Sequence, residues 1–149
     1  MPSWKIHDKW AEKMGIPVEY SKKVNEVIDF SKEGHDRAMR DPDTLISQSS
    51  KLRGEYGDDR IVKAYFLHLY LDEMARFMHT CSIHRGHKES WKNINADDVV
   101  TWSKGMRSIW TPNRGYGKIF KEVNDFIERN RKEIFSDIKE EILRKRKST

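Results

Sequence analysis

One cysteine, Cys81, stands among the 149 residues, so no intrachain disulfide staples this chain and a packed core must hold it together. No run of about 18 apolar residues occurs, which argues against a membrane-spanning helix. The opening Met1-Pro2-Ser3-Trp4-Lys5 lacks the apolar stretch of a secretory signal. A convincing alternation of apolar and polar residues is also missing, and with it the pattern of a half-buried strand. Internal repeats and low-complexity tracts are absent as well. These absences predict a cytoplasmic, soluble chain without membrane contact.

What is present is charge and aromatic bulk. Charged residues make up 36% of the chain and hydrophobic residues another 36%, so the surface is very polar, yet 5 Trp, 5 Tyr and 6 Phe suffice for a compact interior. The length suits one domain over 1–149, with a short basic tail at 144–149. A net charge of +5 favours an anionic partner, with phosphate-containing small molecules or nucleic acid first among them. Neither composition nor pattern specifies an oligomeric state.

The punctuation is helical throughout. Ser3 can cap a first helix with Trp4, Trp10, Ala11 and Met14 inward, stopped by Gly15 and Pro17. His7, three residues from each tryptophan, falls on that inward stripe. Pro17 suits the first turn of a second helix with Tyr20, Val24, Val27 and Ile28 on one face, which extends to Ser31 and His35. Gly34 leaves His35 and Asp36 either at a helix end or inside it. Asp41-Pro42 opens a third segment through Leu45, Ile46 and Leu52, broken between Gly54 and Gly57. From Asp58 or Asp59, the stretch Ile61 to Met78 is apolar around most of its circumference and reads as a central buried helix. A polar loop should follow from Thr80 to Asn93. Asn95 can then cap a fifth helix with Val99, Trp102 or Ser103, Met106 and Trp110 facing inward. From Lys118 onward Ile119, Val123, Phe126, Ile127, Ile134, Ile138 and Ile142 predict one long amphipathic helix. The expected fold is all-α, a single bundle of five or six helices.

Six histidines fall in two groups. His7, His35 and His68 lie in separate helical segments, His35 beside Asp36 and His68 one turn before Asp72. Imidazole nitrogen and carboxylate oxygen are what a divalent cation takes from protein, and three or four such groups leave coordination places for water and a phosphate oxygen. Asp72 on a buried helix must be paired or bound, whether to a cation or to His68, Arg76 or Lys63. His68 suits a further ligand, a proton-transfer group or a partner that orients a ligand.

The run His7-Asp8-Lys9-Trp10-Ala11, then His35-Asp36, then an apolar helix bearing Asp72 resembles the HD-domain metal-dependent phosphohydrolases. The resemblance covers roughly the first half of the chain. It implies a helical hydrolase acting on a nucleotide or other phosphoester, with His7, His35, Asp36 and Asp72 as ligands of a divalent ion. Mn, Mg, Ni, Fe and Zn all remain open as that ion. Arg37 and Arg40 could hold the phosphate, because guanidinium matches its geometry with paired donors.

Other constellations compete. His79, Cys81, His84 and His87 form a second group that zinc accepts, without a paired Cys-x-x-Cys knuckle. His79 also shares the face of His68 and Asp72 and could bring His84 or His87 to the same cation. Gly115-Tyr116-Gly117-Lys118 could cradle an anion at a helix start. Lys104, Arg107 and Arg114 lie near Trp102, Trp110 and Tyr116, as cations and aromatics do in single-stranded nucleic-acid binders. The alternative function is therefore a basic helical module binding nucleic acid or a protein, with structural histidines.

Overall fold

The computed structural model describes residues 3–30, 41–84, 95–106 and 116–147, with the side chains of 42, 80–84, 102–106 and 146–147 outside that description. Seven helices appear among the described residues: α1 (Trp4–Lys13), α2 (Val18–Asp29), α3 (Pro42–Tyr56), α4 (Asp59–His84), α5 (Ala96–Met106), α6 (Gly117–Arg129) and α7 (Arg131–Lys147). No strand occurs among them. None of these helices is long and apolar enough to cross a membrane.

Helix α4 is the axis of the bundle. Its 26 residues span about 39 Å at 1.5 Å per residue, and each of the other six helices packs against it. That position explains its apolar circumference: Ile61, Val62, Tyr65, Phe66, Leu69, Tyr70, Leu71 and Met74 are all fully buried, so no face is left for a polar stripe. The helix continues to His84, over part of the stretch expected as a polar loop.

The helix boundaries follow local chemistry. The end of α1 is a Schellman turn, in which Ile16 N–H donates to Ala11 O at 2.9 Å and Gly15 N–H to Glu12 O at 2.9 Å. Gly15 sits there at φ 82°, where a side chain would be strained, and Ile16 beyond it is buried. Asp41 caps α3 by accepting from Asp43 N–H at 3.1 Å, and Gly57 ends that helix at φ 63°. A reciprocal box opens α5: Asn95 Oδ1 accepts from Asp98 N–H at 2.9 Å, while Asp98 Oδ2 accepts from Asn95 N–H at 3.1 Å.

Two expectations change. Ser3 occupies the position before α1, but its side chain makes no cap there; its hydroxyl and N–H donate to Glu141 at 2.7 and 2.8 Å, tying α1 to α7. The expected single C-terminal helix is divided at Asn130. The Asn130 side-chain amide donates to the Phe126 carbonyl at 2.9 Å, a local bond that competes with the helical ladder. The division lets Ile119, Phe120, Val123 and Ile127 of α6 and Ile134 and Ile138 of α7 all reach the core. Lys9 and Trp10 both donate to Asp137, at 2.7 and 3.0 Å, which fixes α1 along α7.

Candidate metal centre

Helices α1, α2 and α4 meet around a buried polar cluster. His7 comes from α1, whose inward residues are Ile6, His7, Trp10 and Ala11. Trp4, expected on the same stripe, is instead 39% exposed, and its indole N–H donates to Asp29 at 2.5 Å. His68 and Asp72 come from α4, one turn apart and therefore on one face. The side chains of His7, His68 and Asp72 are only 3%, 2% and 1% exposed.

One donor atom from each of these three residues lies within 4.8 Å of the others, forming a group that could hold a metal ion. His7 Nε2 is 3.1 Å from Asp72 Oδ1, and His68 Nε2 is 3.2 Å from Asp72 Oδ2. Two ligands each about 2.1 Å from a cation, at octahedral to tetrahedral angles, lie about 3.0–3.4 Å apart, so both separations fit the edge of a coordination polyhedron. The two imidazoles stack with centroids 3.8 Å apart and planes within 6°. His7 Nε2 is hydrogen-bonded to Asp72 Oδ1, His7 Nδ1 is buried without a hydrogen bond, and His68 Nε2 faces the Asp72 and Asp29 carboxylates. Two imidazole nitrogens and a carboxylate at these separations are a donor set that a divalent cation accepts, so the residues fit such an ion.

Electrostatics separate the two rings. Burial lowers the pKa of His7, the neighbouring His68 lowers it further, and these outweigh the pull of Asp72. Burial also acts to lower His68, but the Asp29 and Asp72 carboxylates beside it prevail and raise its pKa to about 9. Asp29 Oδ1 is 3.7 Å from His68 Nε2, and its side chain is 24% exposed. Asp29 thus forms the solvent-facing side of the cluster, with His7, His68 and Asp72 behind it.

A second layer comes from α2. His68 Nδ1 lies 2.9 Å from Asn25 Oδ1, Asn25 Nδ2 donates to Asp8 Oδ1 at 3.1 Å, and Ser21 Oγ donates to the same oxygen at 2.6 Å. Asn25 is 0% exposed. Ser21, Asn25 and Asp29 are not among the residues expected from spacing, although they advance by four residues along α2. A polar row beside the apolar Val24 and Ile28 was the signal that could have found them.

The other candidates fall elsewhere. His35, Asp36, Arg37 and Arg40 lie outside the described residues, as does His87, and the side chains of Cys81 and His84 share that status. His79 is exposed, about 10 Å along the helix axis from Asp72, and is not part of the cluster. Lys63 pairs with Glu122 at 2.5 Å rather than with Asp72. Of the aromatic and basic set, Tyr116 packs edge-on against Phe66 with centroids 6.2 Å apart, so it serves the core.

No family model, curated protein or solved structure matches the chain.

Proposed function

We propose that this chain is a divalent-cation-dependent phosphohydrolase, similar to the HD-domain enzymes and acting on a nucleotide or another phosphoester. In this reading His7, His68 and Asp72 form the inner part of its metal site. The observation that carries it is the convergence of two stacked imidazoles and one carboxylate, all buried, with His7 Nε2 and His68 Nε2 at 3.1 and 3.2 Å from the Asp72 carboxylate. Apolar residues of similar volume would fill that interior at no loss of stability, and often with a gain. Burial alone gives ionisable groups there no advantage in stability, which supports a ligand role over a structural one.

A cation bound there would supply a water acidified towards neutral pH and would polarise a phosphoryl oxygen. The chain's own residues divide the remaining tasks. His7 and Asp72 close the site from the protein interior and keep bulk water from its rear. His68 Nε2, as close to Asp72 as the nitrogen of His7, takes the part of a ligand in preference to that of a proton-transfer group. Asp29 stands between the cluster and solvent, positioned to accept a proton from an incoming nucleophile. His35 and Asp36 would complete the ligand set, and Arg37 and Arg40 would hold the phosphate.

The test is metal analysis of protein purified without a histidine tag, followed by thermal shift with added Mn2+ or Ni2+. Hydrolysis of p-nitrophenyl phosphate, bis(p-nitrophenyl) phosphate and a nucleotide panel is then measured, with Asp72→Ala as control. Co-purified metal, a raised Tm and turnover abolished by Asp72→Ala are expected. Absence of both metal and thermal shift overturns the reading. Metal binding without turnover on any substrate overturns the enzymatic part and favours the basic binding module, whose affinity for nucleic acid would fall with salt.

A further inference from the structure

We infer that Asn25 and Asp8 are positioning residues that keep a proton on His68 Nδ1 and thereby reserve Nε2 of that ring for a metal ion. The inference rests on the metal reading of the cluster and assigns the residues that prepare one of its ligands.

The carboxylate of Asp8 only accepts hydrogen bonds. Its Oδ1 receives Ser21 Oγ at 2.6 Å, which holds the carboxylate against α2. The Asn25 atom facing that oxygen at 3.1 Å must therefore be the donor Nδ2. With the amide oriented in this way, Oδ1 is the atom that meets His68 at 2.9 Å, and an amide oxygen can only accept. His68 Nδ1 must then carry hydrogen, whether the ring is neutral or charged. In the neutral ring the lone pair is left on Nε2, the nitrogen beside Asp72 and Asp29. The opposite assignment would place two acceptors face to face in a buried site, an arrangement that costs the full desolvation of both.

Burial makes the arrangement restrictive. Asn25 is 0% exposed and Ser21 3% exposed, so water cannot enter freely to satisfy an inverted amide. His68 is also clamped against the His7 ring at 3.8 Å, which fixes the plane in which Nε2 points. Orientation and tautomer are thus set by different neighbours: the stack sets the plane, and the Asp8–Asn25 pair sets the proton. A ligand held in this way binds without first exchanging its tautomer, and loss of such an outer partner typically weakens metal affinity about 10–100-fold.

The experiment uses the full chain with 15N-labelled histidine and zinc as a diamagnetic probe. In the wild type, His68 Nδ1 should show a protonated-type 15N signal both without metal, above the titration of the ring, and with zinc, where Nε2 shifts to the metal-bound range. Asn25→Leu should lose the Nδ1 preference and bind zinc about 10–100-fold more weakly. The exchange Asp8→Asn with Asn25→Asp inverts the donor and acceptor between the two helices while keeping an oxygen towards His68. It should restore both the Nδ1 proton and most of the affinity. Nδ1 bound to zinc, an unprotonated Nδ1 in the metal-free wild type, or unchanged affinity in Asn25→Leu overturns the inference. If Asn25→Leu does not fold, the wild-type spectrum alone decides. Should the wild type take up no zinc, the metal reading fails, and the metal-free spectrum still shows whether Asn25 fixes the tautomer.

Discussion

Along its first turns α4 buries Ile61, Val62, Tyr65 and Phe66 at 0% exposure, with Phe66 edge-on to Phe120 of α6 at 5.7 Å. Within the next two turns the same helix buries His68 and Asp72 almost as deeply. The two stretches share burial and differ in what makes it favourable. In the first, removing apolar area from water suffices, and any neighbour of the right shape serves. In the second, every polar atom needs a particular counterpart, and the counterparts come from His7 on α1 and from Asn25 and Asp29 on α2. The apolar stretch is therefore tolerant of its partners, whereas the polar stretch dictates the identity of two other helices.

Substitutions in each stretch should break different properties. The largest effect is expected from Phe66→Ala, which opens a cavity between α4 and α6 and should cost about 3–5 kcal/mol in urea unfolding. Zinc affinity per folded molecule should barely move, because no atom of the cluster is touched; a parallel loss of affinity would show that the two stretches are not separable. Next comes Asp72→Ala, which removes the carboxylate shared by both rings. Metal affinity measured by calorimetry should fall by more than the roughly 100-fold upper range of an outer-partner loss, about 2.7 kcal/mol.

A pH series sharpens the contrast further, because only the polar stretch titrates. In chelator-treated protein, the folded pKa of His68 at about 9 stands above the ordinary 6.5, so its stabilisation is full below pH 6.5 and is lost as pH rises through about 9. His7 acts in the opposite sense. Its folded pKa lies below 6.5, so its contribution is present above pH 6.5 and is lost as pH falls through the lowered value. Together they place the optimum near pH 6.5, and urea midpoints across pH should show it. His68→Gln should flatten the alkaline arm and, because the charged His68 ring helps to lower His7, weaken the acid arm as well; an alkaline arm that persists would mean that another group carries it. The smallest effect belongs to neither stretch. Gly15→Ala forces a side chain to φ 82° where nothing crowds it, and should cost about 1 kcal/mol by thermal unfolding, with metal affinity intact.

Local grammar made much of this fold legible. Asp41-Pro42, Gly57 and Asn95 mark helix ends because caps and left-handed turns are made by residues within a few positions of one another. The inward placement of His7, and the one-turn pairing of His68 with Asp72, follow from helical periodicity. Periodicity does not reveal which helix a face will meet. Asn25 and Asp29 become neighbours of His68 only through the packing of α2 on α4, an event 43 residues apart in sequence for Asn25. Trp4 shows the same limit: its spacing is that of the core stripe, but α1 begins at the rim, and the indole reaches Asp29 instead. The division at Asn130 depends on a side chain choosing a carbonyl, which composition and spacing leave open.

The bond between Ser3 and Glu141 joins positions 138 residues apart, and Asp137 holds Lys9 and Trp10 from the same helix. The segment that supplies His7 is thus fastened along its outer edge to the last described helix of the chain. During synthesis α1 is made before α2 and α4, and its anchor on α7 follows α6. Until then α1 is held by α2 and α4, through Ser21 and Asn25 on Asp8 and Asp72 on His7. The cluster's own contacts are thereby made by residues of the first half of the chain, and α7 secures the outer edge of α1 last.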